Sequence, residues 1–344
     1  MAALKRKLRM DFTKGKVIQN TLVPDLRLTD PKAYRELLQM DESTFEELLG
    51  HVRPLIEKED AKMRKAIKHQ TRLELTLRFL AKESEEPGLP VQTGPRHVHA
   101  ALWETCAAIC TALGNLVHTP AIENEWLSKA EDFKMLWQFP NCVASIDGKH
   151  VQIVKPAKSG ILYYNYKKTF SLVLFALTDA RYNFIYDDAS YYGSASDGGV
   201  WARTPLGKQM ASGNAHLTRS MALPNSPLQL PPVIVGDDAF PLAEHLLKTH
   251  SKSNLTDEEA TFNERLSRFR RVVENSFGQL DNRRHAYYTT SSSVVQAPPQ
   301  NTSNKPKMTS KLLPLGSCGI RYGATAAFIR NVLTDYFSTV GALP

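Results

Sequence analysis

The chain has 344 residues, 42% of them hydrophobic, which excludes wholesale disorder and suits about two domains, each with a packed core. Lys and Arg total 43 against 35 Asp and Glu, a formal charge of +8, so a polyanion is the natural partner. Cys106, Cys110, Cys142 and Cys318 form no CxxC pair and no zinc-finger spacing, which leaves out a zinc module and points to a reducing compartment. Cys106 and Cys110 read as small buried thiols on a helix. No apolar run approaches the ~20 residues of a membrane helix, and the basic opening lacks the apolar core of a secretory signal. Neither membrane association nor export is expected.

Residues 1–40 read as a basic N-terminal segment. From 41 to 118 the pattern is helical: Asp41 or Ser43 caps a helix bearing Phe45, Leu48 and Leu49, and Leu73, Leu77 and Leu80 mark a second at spacings of four and three. Between them, Lys58 to Arg72 is dense in Lys and Arg, either a solvated face or a phosphate-contacting strip. Glu83 to Arg96 breaks the rhythm with prolines and glycines before Ala100 to Val117 resumes it.

After Leu136 the chain turns to strands. Cys142 to Ile146 and Val151 to Val154 flank the turn-like Asp147-Gly148, and Phe170 to Leu177 with Tyr182 to Tyr186 flanks Asp179 to Arg181; an antiparallel meander is expected. Pro232 to Val235 reads as a short buried strand ending at Gly236-Asp237-Asp238, with Leu242 to Lys248 returning as a helix. Asp257 to Arg284 carries Phe262, Leu266, Phe269, Val273, Phe277 and Leu280 at steps of three and four, the clearest helix of the chain. Residues 289–317, rich in Ser, Thr, Pro and Asn, read as a polar, disordered linker. Residues 318–344 form a tail in which Ala327, Phe328, Val332 and Tyr336 mark a docking helix.

Three acids stand where metal chemistry would use them: Asp147 and Asp237 at strand ends and Glu274 on the long helix. Hard cations such as Mg²⁺ prefer carboxylate oxygens, and two such ions ~3.5–4 Å apart clamp the attacking and leaving oxygens of a phosphodiester. Each acid also has a plain structural use. Asp147-Gly148 suits a turn, Asp237 a helix cap, and Glu274 an ion pair with Arg270 or Arg271. Spacing alone leaves these alternatives open.

The runs 139–150 (FPNCVASIDGKH) and 163–171 (YYNYKKTFS) resemble the opening of the nuclease domain in PIF/Harbinger transposases and Harbinger-derived nucleases. The blocks 193–200 (GSASDGGV), 235–242 (VGDDAFPL) and 262–278 (FNERLSRFRRVVENSFG) follow in family order. The resemblance implies an α/β fold, an RNase H-like catalytic domain over 119–288, preceded by an all-helical, degenerate helix-turn-helix domain. It implies a DDE triad of Asp147, Asp237 and Glu274 holding two Mg²⁺ or Mn²⁺ ions, with Asp238 as runner-up for the second position. Lys149 and Lys155 are assigned to DNA contact. His150, Lys158, Lys167 and Lys168 are left even, and Asp197 is a supporting residue that holds the turn 194–199. A separate Myb-like DNA-binding partner and residence in the nucleus, with the cytoplasm as a second compartment, are implied too.

Two departures from the family pattern stand out. Glu85 to His97 holds three prolines and two glycines where a recognition helix should begin, and the polar 289–317 replaces an apolar helix. The leading expectation is a metal-dependent DNA endonuclease. Its rival is a domesticated, cleavage-incompetent DNA-binding or scaffolding protein, and a metal-free carboxylate glycosidase is a distant third.

Overall fold

The computed structural model describes residues 27–60, 66–81, 95–217, 220–283 and 324–341, and the chain divides into two units. In the first, α1 (Pro31–Leu38), α2 (Glu42–Ile56), α3 (His69–Ala81) and α4 (Pro95–Leu113) surround an apolar core. Asp41 is the N-cap of α2, its carboxylate accepting from the Thr44 amide at 2.9 Å and the Ser43 hydroxyl at 2.8 Å. From that start Phe45, Leu48, Leu49, Val52 and Ile56 form one stripe, buried against Tyr34, Leu38, Leu73, Leu77 and Ala108.

The ends of the basic stretch 58–72 are structural. Glu104 of α4 accepts from Lys58 at 2.7 Å and also pairs with Arg72, which is itself buried. Lys62, Arg64 and Lys65 lie outside the described residues, as do 82–94, which hold most of the proline-rich break. Pro95 to His97 are not loop, as expected, but open α4, a first turn being where proline costs a helix nothing. Cys106 is half-buried, and burial pushes its thiol up; Cys110 is exposed, against the expectation of a buried pair.

The second unit is mixed α/β. It runs α5 (Glu123–Trp137), β1 (Cys142–Gln152), β2 (Ser171–Thr178), β3 (Phe184–Tyr192), α6 (Asp197–Trp201), α7 (Pro205–Ala211), β4 (Met221–Ala222), β5 (Gln229–Leu230), β6 (Val233–Val235), β7 (Leu246–Leu247), α8 (Asp257–Arg283) and α9 (Ala324–Ser338). Five strands form one mixed sheet in the order β3-β2-β1-β6-β7. β2 and β3 are an antiparallel hairpin whose turn is organised by Asp179, its carboxylate accepting from the Arg181 and Asn183 amides. β6 runs parallel to β1 on one side and to β7 on the other.

Three expectations for this unit are corrected. Asp147-Gly148 is not a turn: β1 passes straight through it, because the strand lies inside the sheet with neighbours on both sides. Leu242 to Lys248 is not a helix; Leu246-Leu247 pairs with Ile234-Val235 as β7, a run too short for periodicity to assign. The C-terminal helix docks, but through Ala326, Ile329, Leu333, Tyr336 and Phe337, while Phe328 is exposed. Residues 289–317 lie outside the described residues.

Alternation along the strands feeds two cores. Val233, Val235 and Leu247 face α8 and α9, joining Phe262, Leu266, Phe269, Ile329 and Phe337. Ile146, Phe175, Ile234 and Leu246 face the other way, onto Val200, Trp201, Leu206 and Met210 of α6 and α7. Phe337 is the aromatic pivot of α9. It meets Phe139 edge-on at 4.8 Å, and the Arg265 guanidinium lies 4.7 Å from its ring centre. Phe337→Ala is expected to cost about 3–5 kcal/mol by urea denaturation; a loss below ~1 kcal/mol would remove α9 from the core.

Candidate active site

Parallel register brings the first two acids together. Val235 of β6 pairs with Ser145 of β1; two residues on, Asp147 lies in the middle of β1, not at a strand end as expected, and Asp237 lies in the loop just past the end of β6. β1 presents Asp147 and Lys149 to the face that α8 crosses, where the Lys149 ammonium lies 5.7 Å from the Phe277 ring centre. Gly148, between them, faces the opposite side and meets the start of α6. A Cβ there would overlap the Asp197 carboxylate, so glycine is what lets Asp197 lie against the β1 backbone. Likewise a Cβ on Gly198 would stand 2.8 Å from the Ala239 carbonyl oxygen, which brings α6 up to the loop after Asp237.

The electrostatics report this gathering. Burial pushes the Asp147 carboxyl up to about 7, and Asp237 and Asp197 add to the rise; the Gly148 amide, which donates to Asp147 Oδ1 at 2.8 Å, and the Arg270 charge oppose it. Burial raises Asp197 to about 6, with Asp237 contributing. Asp237 Oδ1 accepts from the Ala239 amide at 2.9 Å in an Asx turn. Asp238, by contrast, is exposed and takes the Thr249 hydroxyl at 2.6 Å, so of this pair Asp237 is the one facing Asp147.

Glu274 is placed differently. It is exposed on α8, and both Nη2 (2.6 Å) and Nε (3.1 Å) of Arg270 donate to its Oε1. Burial works against the Arg270 charge, but Glu274, then Asp237 and Asp147, hold it above its ordinary value. The guanidinium is thus bonded to the glutamate and lies within electrostatic range of both aspartates. Sequence reading foresaw the Arg270–Glu274 pair but not its reach to Asp147 and Asp237, which only the crossing of α8 over β1 supplies. Asp197 was placed as the holder of its own turn; the Ser196 hydroxyl caps that turn at the Gly199 amide, and Asp197 faces Gly148 instead.

Of the basic residues after Asp147, Lys155 is exposed with its ammonium 5.2 Å from the Phe170 ring centre. His150 is half-buried and tied by Nδ1 to the Ser171 hydroxyl at 2.9 Å; burial, then Lys167, keeps its ring below its usual pKa. Asp147 and Asp237 offer hard carboxylate oxygens, which in chemistry fit a divalent cation; Asp197 lies across β1 from Asp147, on the Gly148 side. Among the described residues, no three His, Cys, Asp or Glu side chains already form a cage for such an ion. No helix among them is long and apolar enough to cross a membrane.

Residues 146–300 match the family model of the DDE superfamily endonucleases. The match covers under half of the chain, begins one residue before Asp147 and includes Asp197, Asp237 and Glu274. It supports a transposase-like nuclease function and, with that, a DNA substrate. No curated protein and no solved structure matches the chain.

A folded pKa near 7 against ~3.9 in the unfolded chain means that the native state keeps a proton which the unfolded state releases. Stability is therefore lost as pH rises through that window. Asp147→Asn in metal-free buffer should match wild type below about pH 4 and melt progressively higher than it from there to about pH 7. A melting difference independent of pH would contradict the crowded carboxylates.

Proposed function

We propose that the chain is a metal-dependent DNA endonuclease of the PIF/Harbinger type, with an RNase H-like catalytic domain over 119–288. The observation that carries this reading is the approach of Asp147 and Asp237, distant in sequence and brought near each other by the pairing of β1 with β6, within the family-matched stretch. Asp147 and Asp237 would hold the divalent cations, Mg²⁺ or Mn²⁺ and two in number. Glu274 completes the set once it exchanges Arg270 for metal. Bound there, such ions supply Lewis acidity and charge neutralisation to phosphoryl transfer.

The chain's own groups prepare that state. Asp147 gives up a proton near neutral pH to become a ligand, and Arg270, released by Glu274, becomes available to a DNA phosphate. Lys149 and Lys155 follow β1 beyond the acids and are assigned to the phosphate backbone, where charge neutralisation gives affinity without base reading. A nuclear location and a separate Myb-like DNA-binding partner belong to the same reading. So do the helical, degenerate helix-turn-helix region over 41–118 and the linker over 289–317.

One observation favours a second reading: Glu274 is bonded to Arg270. A domesticated, cleavage-incompetent DNA-binding protein would look like this. Nicking of supercoiled plasmid separates the two. Wild type with Mg²⁺ or Mn²⁺ should cut, EDTA should stop it, and Asp147→Asn, Asp237→Asn and Glu274→Gln should each abolish it. Absent cutting with DNA binding retained selects the second reading.

A further inference from the structure

Between β1 and β2 the chain forms a rigid basic hairpin that the cleavage chemistry does not use. Residues 155–171 contain four lysines, Lys155, Lys158, Lys167 and Lys168, and no Asp or Glu. The hairpin is closed by the Tyr164–Phe170 bridge and by the Asn165 amide donating to the Thr169 carbonyl at 2.9 Å. Buried Asn165 fixes its turn from inside: Nδ2 donates to the Ser171 hydroxyl at 2.8 Å and Oδ1 accepts from Thr169. Ser171 in turn meets His150 of β1, three residues beyond Asp147. The loop is thus anchored to the strand that carries the first acid.

What it displays is an aromatic face among cations. Tyr166, at the tip, is 78% exposed; its ring touches His150 on one side (centroids 5.3 Å apart), and the Lys167 ammonium lies 5.5 Å from its centre. All four lysines are exposed. A phenol ring held in water serves no core, and a rigid mount means little conformational entropy is lost when something stacks on it.

We infer that the 155–171 hairpin is a platform for single-stranded DNA, Tyr166 stacking on an unpaired base while Lys155, Lys158, Lys167 and Lys168 neutralise the flanking phosphates. Stacking on an aromatic is tolerant of sequence and needs a base out of its duplex, whereas lysines alone would serve duplex and single strand alike. The inference rests on the nuclease reading for its substrate class and places unpaired nucleotides beside the cutting site.

The test is fluorescence anisotropy of the full chain, without metal, on a labelled oligo-dT strand and on a duplex of equal length. Tyr166→Ala should weaken the single strand about tenfold and the duplex much less, Tyr166→Phe should bind as wild type, and Lys167→Ala/Lys168→Ala should lower the salt dependence on both probes. Circular dichroism melts confirm that each variant folds. Equal affinity of wild type and Tyr166→Ala for oligo-dT, equal losses on both probes, or no oligo-dT binding by wild type would each overturn the platform. A wild type that binds through Tyr166 yet never cuts would retain the platform and remove the nuclease reading.

Discussion

Burial of the Asp147 carboxyl, reinforced by Asp237 and Asp197 and eased by the Arg270 charge, dominates the functional part of the sheet. Asp147 is partly withdrawn from water beside Asp237 and Asp197, and Arg270 is the compensating charge that reaches both Asp147 and Asp237. Such an arrangement is costly to a fold in isolation, since each desolvated charge raises the cost of the next. Glu274 lies on Arg270 as an i,i+4 pair along α8.

The architecture makes that crowding hard to escape. β1 and β6 are neighbouring parallel strands whose register brings Asp147 and Asp237 near each other, and both strands are packed on two faces, by α8 and α9 and by α6 and α7. Moving Asp147 would mean sliding a buried strand, which turns every side chain to the wrong core. Rigid elements that hold a few groups to close tolerance are what catalytic constellations require.

Where local pattern and tertiary context agree, the sequence was readable. The apolar steps of three and four along α8 and the Asp41 cap of α2 are properties of single elements, and both appear as expected. Asp147-Gly148 misled because the dipeptide favours turns in isolation, whereas a strand hydrogen-bonded on both sides overrides that preference. β7 was missed because two leucines carry no period. On α9, Tyr336 is buried and Val332 packs against the core as expected, but Phe328 is exposed and Phe337 takes the central place, because the partner that selects the face, the Phe139–Phe262 side of the core, comes from far away in the chain. In the site, the acids were legible as residue types, and the block pattern pointed to their order. Asp197 against Gly148 and Arg270 beside Asp147 depend on which faces of β1 and α8 meet, and no local spacing encodes that.

The contact between Gly148 and Asp197 carries a consequence for how this surface can change over generations. Any side chain at 148 would evict the acid at 197, and loss of the acid would relieve the need for glycine. The constraint runs one way: position 148 is free to gain a side chain only in a lineage that has already given up the acid at 197, so the acid's loss should precede the glycine's.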